Sequence, residues 1–353
     1  MAASKKVGFA VVGLGNIAQG SVLPAFSNSK RAKLVALVSR DKKKATLLAR
    51  KFKAEFAYNS EEYAECLANP DVSAIYVATP PGKHEAFVVR AARAGKHVLC
   101  EKPLAATVEQ CIRMVEACHR HDVLLMTAYR KYFEPSTRYL KKLIRGGDLG
   151  RIDVIHAGFS ELYSPGISPA WLVDATLAGG GPLMDLGVYC VNTSRWLVDE
   201  DPMEVFARAW RHDTTCFHEV EEGIAFQMNF ASGLVVQASA TYGAVLSSFI
   251  NVQGTKGWVS LAPAFPFDEE RRLTGKFGGR SIRRQFKTID EFAPELDAFA
   301  KAIQSGTPVE PDGIQGCRDL AIIRAIYKSA KSRKTVPVKY EKLTSASHSV
   351  AGF

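Results

Sequence analysis

The chain has 353 residues, room for two domains at roughly 150 residues each, and its 47% apolar and 23% charged residues are the balance of an ordinary globular protein. Its formal charge of +10 favours anionic ligands. The basic residues are dispersed, however (Lys42-Lys43-Lys44, Lys141-Lys142, Arg271-Arg272, Arg283-Arg284, Lys331 to Lys334), and not interleaved with aromatics on a nucleic-acid module, so no nucleic-acid partner is expected. No stretch is long and uncharged enough to span a bilayer, so no membrane partner is expected either.

Val7 to Gly13 (VGFAVVG) is a β-branched run ending at glycine, the pattern of a buried parallel strand. Gly13-Leu14-Gly15-Asn16-Ile17-Ala18 follows, with a helix expected after Asn16. Such a turn between strand and helix takes a pyrophosphate on backbone N–H groups, which makes Gly13, Leu14, Gly15, Asn16 and Ile17 candidate cofactor contacts. Leu34 to Ser39 is a second strand, and Asp41 to Phe52 a helix with Asp41 as its N-cap. The end of the second strand decides between NAD and NADP, because an acid there binds the ribose 2′-hydroxyl of NAD. This chain has Ser39-Arg40, with Lys44 one helical turn on, and NADP is expected from their capacity to hold a 2′-phosphate.

Ala74 to Thr79 is a third strand, broken by Pro80-Pro81-Gly82, and a helix from His84 to Ala94 stops at Gly95. Val98 to Cys100 leads into Glu101-Lys102-Pro103, a charged pair and a proline at the carboxyl end of a strand, where open α/β sheets hold ligands. A helix (Val108 to His121) and a strand (Val123 to Thr127) complete the alternation, which implies a doubly wound parallel sheet over residues 1–127. Thr79, Pro80, His84 and Glu101, all at strand ends of that sheet, are further candidate cofactor contacts, His84 on the nicotinamide side.

From residue 128 to 353 the texture changes. Helical Ser136 to Ile144 precedes strand-like segments at Asp153 to Ser160, Glu204 to Arg211, Gly223 to Phe230, Leu234 to Thr241, Phe249 to Gln253 and Trp258 to Leu261. Their polar–apolar alternation suits an antiparallel sheet with one wetter face. Phe292 to Gln304 and Gln315 to Ser332 read as late helices, one of them a candidate to pack back on the first domain, and the tail after Glu341 reads as frayed. The run Gly179-Gly180-Gly181-Pro182-Leu183-Met184-Asp185-Leu186-Gly187-Val188-Tyr189, taken as a helix from Pro182, sets Asp185 and Tyr189 four apart on one face. A carboxylate, a phenol and Lys102 could then serve one alcohol, an adjacent ammonium making the phenol usable as a base despite its ordinary pKa near 10. His119 and His121 have no metal-ligand spacing with another residue, and no metal is expected.

Seven cysteines without a CxxC read as reduced thiols of a cytoplasmic protein, and Met1 to Lys6 leaves no room for a leader before the first strand. That short N-terminus also suggests a cofactor free to exchange.

GLGNIA at Gly13, AGKHVLCEKPLA from Ala94, AYRKYFEP from Ala128 and AGGGPLMDLGVYCVNTSRWL from Ala178 together resemble the Gfo/Idh/MocA superfamily over nearly the whole chain. The last block, with Gln253-Gly254-Thr255-Lys256-Gly257, is most similar to the glucose-fructose oxidoreductase and aldose dehydrogenase branch; inositol-type members usually have histidine where Tyr189 stands. The resemblance implies a Rossmann domain, a second α+β domain with a large open-faced antiparallel sheet, and a homodimer or homotetramer formed through that sheet. It implies hydride transfer between a sugar carbon and nicotinamide, with Lys102, Asp185 and Tyr189 in the catalytic positions and a cis Lys102-Pro103 bond. The family's frequent Trp-Arg pair appears here as Trp171-Leu172; Trp171 is retained as a candidate cofactor contact, and Arg130 is a candidate to replace the missing arginine at cofactor and substrate. Tyr132 joins Lys102, Arg130, Asp185 and Tyr189 as a candidate sugar contact. The expected reaction is NADP-dependent oxidation of an aldopyranose of the D-glucose or D-xylose type at C1. The alternatives are a sugar-to-sugar oxidoreductase with tightly held NADP, a diol or inositol dehydrogenase, and a non-catalytic sugar or redox sensor of the same fold.

Overall fold

The computed structural model describes residues 6–340; the N-terminal residues before Lys6 and the tail from 341, on which two of the expectations above fall, lie outside the described residues. Two compact units divide the chain. Among the described residues, the first takes those up to Arg130 together with Asp290–Cys317, and the second takes Lys131–Ile289 with residues 318–340. The C-terminal part of the chain is thus shared between them rather than continuous from residue 128.

In the first unit the strands are β1 (Val7–Val12), β2 (Ala32–Ser39), β3 (Phe56–Asn59), β4 (Ala74–Val77), β5 (His97–Glu101) and β6 (Leu125–Ala128). They lie in the order β3-β2-β1-β4-β5-β6 with every pairing parallel, the expected doubly wound sheet. Its central strands are buried on both faces, as β1 and β4 are at every position, because helices cover each side. The helix Lys42–Phe52 starts where Asp41 accepts the Lys44 N–H at 3.0 Å, the cap read from the sequence. The helix Phe292–Ser305 completes the core: Phe299 packs edge-on to Phe9 at 6.1 Å, and Asp297 accepts from Ser29 Oγ at 2.6 Å.

Nine strands form the sheet of the second unit among the described residues: β7 (Ile152–Ser160), β8 (Pro202–Trp210), β9 (Gly223–Phe230), β10 (Val235–Thr241), β11 (Ser247–Gly254), β12 (Gly257–Ala262), β13 (Arg271–Phe277), β14 (Arg280–Phe286) and β15 (Val336–Pro337). Their order is β14-β13-β12-β11-β7-β10-β9-β8-β15, antiparallel except where β7 runs parallel to β10. Along β9 and β10 every second side chain is buried, the period-two pattern of a sheet with one covered face. The covering element is the helix Val188–Val198, packed on β7 and β10 and buried along nearly its whole length. The other face carries Phe206 and Trp258, both exposed. No helix among the described residues is long and apolar enough to cross a membrane.

Candidate active site

At the end of β1 the chain turns at Gly13, whose φ of +91° is left-handed, and a Cβ there would lie 2.6 Å from the Ala78 carbonyl oxygen. Glycine therefore lets the turn press against the end of β4. Gly15 faces open space and is exposed, as is Asn16, and the helix begins immediately after them. The first N–H groups of a helix have no intrahelical partner. Beside the turn Thr79 Oγ1 is buried without a hydrogen-bond partner. An uncrowded glycine turn, a helix N-terminus and an orphaned hydroxyl suit a dinucleotide pyrophosphate. At the end of β2, Ser39 Oγ accepts the Asp41 N–H at 3.1 Å, which leaves its own proton to donate, and Arg40 is exposed.

Lys102 is held from its own strand and from two neighbouring segments. Glu101 Oε1 accepts from the Tyr76 hydroxyl at 2.8 Å and Oε2 from the Lys102 N–H at 3.1 Å, and the Lys102-Pro103 bond is cis. Burial pushes the Glu101 carboxyl up, while the Lys102 charge and the Tyr76 hydrogen bond pull it back. His84 closes the loop: its ring nitrogens lie 3.0 Å from the Leu104 carbonyl and 2.6 Å from the Thr79 carbonyl. Burial holds its pKa below the ordinary imidazole value. The ring is fully buried between these two carbonyls, so His84 ties the β4 and β5 loops together. That replaces the expectation of a nicotinamide contact.

Arg130 departs from expectation for a similar reason. It is 5% exposed, paired with Glu291 at 2.5 Å, with its guanidinium 5.9 Å from the Phe292 ring centre. A buried arginine must keep its counter-ion, and this ion pair lies within the first unit. Glu295, completely buried, sits in the same acidic environment; burial, with the neighbouring Glu101, raises its carboxyl well above the usual range.

In the second unit Asp185 and Tyr189 stand on different turns of one continuous element. Leu183–Gly187 is a widened π-turn and the regular helix starts at Val188, which corrects the single helix expected from Pro182. Glu221 anchors the turn: its carboxylate accepts the Gly181 N–H at 3.0 Å, the Leu183 N–H at 3.1 Å and the Tyr327 hydroxyl at 2.9 Å. A Cβ on Gly180 would strike Tyr327, and one on Gly181 would strike Glu221, which accounts for the glycine run. Asp185 Oδ2 accepts from the Tyr242 hydroxyl at 3.0 Å. The Tyr189 ring is wedged between Phe159 (5.9 Å) and Phe265 (5.8 Å). One turn further, Asn192 and Arg195 grip the buried Asp319 at 2.8 and 2.5 Å, fixing the helix that carries Tyr189.

Of the remaining candidates, Tyr132 is buried with its ring 4.5 Å from that of Trp196, a packing position, and Trp171 is half-buried on the short helix Ala170–Val173. Leu14 is buried, Pro80 precedes the helix Pro81–Arg93, and Lys44 is half-buried on the helix after β2. Sequence reasoning missed Tyr76, Glu221, Tyr242 and Tyr327, which stand far along the chain from the residues they hold. The triple glycine was their one signal, since it announces that something bulky comes close.

Residues 7–129 match the oxidoreductase family with an NAD-binding Rossmann fold, and residues 137–260 match the GFO/IDH/MocA C-terminal domain. The chain belongs to the Gfo/Idh/MocA oxidoreductase family. Among its relatives, D-xylose 1-dehydrogenase (NADP+) of Haloarcula marismortui is 34% identical over 95% of this chain and 94% of that protein. A second D-xylose 1-dehydrogenase (NADP+), from Haloferax volcanii, is 30% identical over 93% of this chain and 98% of its own length. The crystal structure of aldose-aldose oxidoreductase from Caulobacter crescentus, complexed with glycerol, matches with a TM-score of 0.90 at 34% identity, covering 94% of this chain and 100% of that one. As a Gfo/Idh/MocA member the chain is an oxidoreductase with an NAD(P)-binding Rossmann unit, which bears out the family and fold read from its motifs.

Proposed function

We propose that this oxidoreductase is an NADP-dependent dehydrogenase that oxidises C1 of an aldopyranose of the D-glucose or D-xylose type to the aldonolactone. The observation that carries the reading is the anchored turn bearing Asp185 and Tyr189, a carboxylate and a phenol on a rigid support. When bound, the nicotinamide supplies the hydride acceptor. Tyr189 takes the proton of the C1 hydroxyl, and Asp185 accepts a hydrogen bond from the sugar and orients it. The Lys102 ammonium donates a hydrogen bond to a substrate hydroxyl. Gly13 to Ile17 and Thr79 hold the dinucleotide, with Ser39, Arg40 and Lys44 on the 2′-phosphate. Likeness to D-xylose dehydrogenases supports the substrate class.

Likeness to an aldose-aldose oxidoreductase favours a second reading, in which NADP stays bound and one sugar reduces another. One experiment separates them. The protein is purified without added nucleotide, dialysed, and assayed with free NADP against a panel of aldoses. Net NADPH formation on D-xylose or D-glucose, abolished by Lys102→Met, supports the dehydrogenase. Stoichiometric NADP surviving dialysis, with turnover only when a second sugar is added, supports the alternative, and no turnover with any aldose rejects both.

The same reading includes a homodimer or homotetramer formed through the open face of the second unit's sheet, where Met203, Phe206 and Trp258 expose apolar surface. A monomer by sedimentation at micromolar concentration would exclude it. Seven free thiols fit a reducing cytoplasm.

A further inference from the structure

The Asp185 carboxylate takes its orientation in part from a side chain far along the chain. Tyr242 stands just past the end of β10, is 3% exposed, and gives its hydroxyl to Asp185 Oδ2 at 3.0 Å. The phenol has no freedom to turn elsewhere. Its ring packs against Tyr163 (6.0 Å) and Phe217 (6.4 Å), and its own N–H bonds to the Glu222 carbonyl at 2.8 Å. Asp185 in turn lies on the π-turn that Glu221 and Tyr327 clamp through the Gly181 and Leu183 N–H groups. The carboxylate is thus fixed at its backbone end by one buried acid and at its oxygen end by one buried phenol.

We propose that Tyr242 is a positioning residue: its bond to Oδ2 fixes the orientation in which the Asp185 carboxylate meets a sugar hydroxyl. The inference rests on the placement of Asp185 in the sugar site proposed above. Burial and the facing carboxylates hold the Tyr242 phenol well above its ordinary pKa, so it remains a donor throughout the working pH range. A hydrogen bond to a charged acceptor is worth more than one between neutral groups. Losing it removes one constraint on the carboxylate and lets water take the place of the phenol at Oδ2. Sequence position gives no hint of the pairing, since 57 residues separate the two side chains.

The test is a double-mutant cycle on the full chain with Tyr242→Phe, Asp185→Asn and the pair. Phenylalanine preserves the ring packing against Tyr163 and Phe217 and removes only the donor. The readouts are kcat/KM for the aldose the wild-type protein oxidises and the Kd of that aldose on protein loaded with NADPH, where no turnover occurs and slow variants remain measurable. NADP affinity and the thermal midpoint serve as controls for the fold.

Tyr242→Phe should weaken sugar binding and kcat/KM roughly tenfold or more in the wild-type background, with NADP affinity unchanged. In the Asp185→Asn background the same change should have almost no further effect, because the phenol acts through the carboxylate. Additive losses would overturn the inference and leave the sugar site standing, as would loss of the native fold in Tyr242→Phe. Wild-type binding and turnover in Asp185→Asn would instead remove Asp185 from the site, and the proposed function would need another acceptor.

Discussion

Beyond β2 the outcome depends on a few atoms. Ser39 uses an oxygen lone pair to receive the Asp41 N–H, and Asp41 spends its carboxylate on the Lys44 N–H. The nearest acid is therefore engaged as a helix cap, and Arg40 is left exposed beside the ribose end of the proposed cofactor. A guanidinium hydrogen bond to phosphate contributes about 1.5–3 kcal/mol, or roughly ten- to a hundredfold in affinity. Arg40→Asp should remove the phosphate contact and offer a carboxylate to a ribose hydroxyl instead. Titration calorimetry should then show NAD binding more tightly than NADP, the reverse of the unmodified chain, and unchanged preference would refute the assignment. At this scale the sequence was legible where chemistry sits in neighbouring residues, as in Gly13 to Ile17 or Glu101-Lys102-Pro103. It was misleading where burial decides: Arg130 and His84 are residue types that serve ligands, but Arg130 is buried in an ion pair with Glu291 and the His84 ring lies buried between two backbone carbonyls.

Elements were readable when their periodicity matched their burial. The parallel strands are continuous apolar runs, and β9 alternates as a half-covered strand should. The β13–β14 hairpin escaped because its outer strand is nearly all exposed and rich in arginine, with Arg280, Arg283 and Arg284 in a row of seven. Those charges suit a sheet edge, where they discourage pairing with another chain, and they look like loop in a search for apolar patterns. The helix Pro135–Arg145, expected over Ser136 to Ile144, begins at Glu134, whose carboxylate takes the N–H groups of Ser136 and Thr137, each at 2.8 Å. Burial alone would raise this carboxyl, but Lys131 and the Ser136 and Thr137 hydrogen bonds outweigh it and the pKa falls below the ordinary value. A carboxyl depressed in the folded state stabilises above its unfolded pKa, about 4.3, and ceases to do so as pH drops through the folded value. Glu134→Gln should therefore cost about 1 kcal/mol at pH 7, in the range for lost caps, with the gap to the unmodified chain closing below that window. Urea unfolding followed by tryptophan fluorescence at pH 7 and pH 3.5 reads both, and a gap that persists in acid would contradict the ionic account of the cap.

For the whole molecule, the division of the chain was only partly visible in advance. The alternation of strands and helices marks the first unit up to about Arg130, and a late helix is a candidate to pack back on it, but nothing in the residues near Asp290 marks where the chain rejoins it. That return is made by side chains such as Asp297 and Phe299, whose partners Ser29 and Phe9 stand far back in the sequence. The same division sorts two kinds of side chain. Trp171, Trp196, Trp210 and Trp258 all belong to the second unit, whereas Cys66, Cys100, Cys111, Cys118 and Cys317 belong to the first. Those five are buried, as is Cys190, and only Cys216 is partly open. Burial also pushes the Cys66, Cys118 and Cys190 thiols up to about 12, far from the thiolate form a labelling reagent needs. In native buffer a chromogenic disulfide should therefore titrate one equivalent, lost in Cys216→Ser, and the other six should react only as denaturant is added. The chain then carries two optical clocks, five of its six buried thiols for one unit and the indoles for the other, and whether they strike together reveals the cooperativity of its unfolding without any label being introduced.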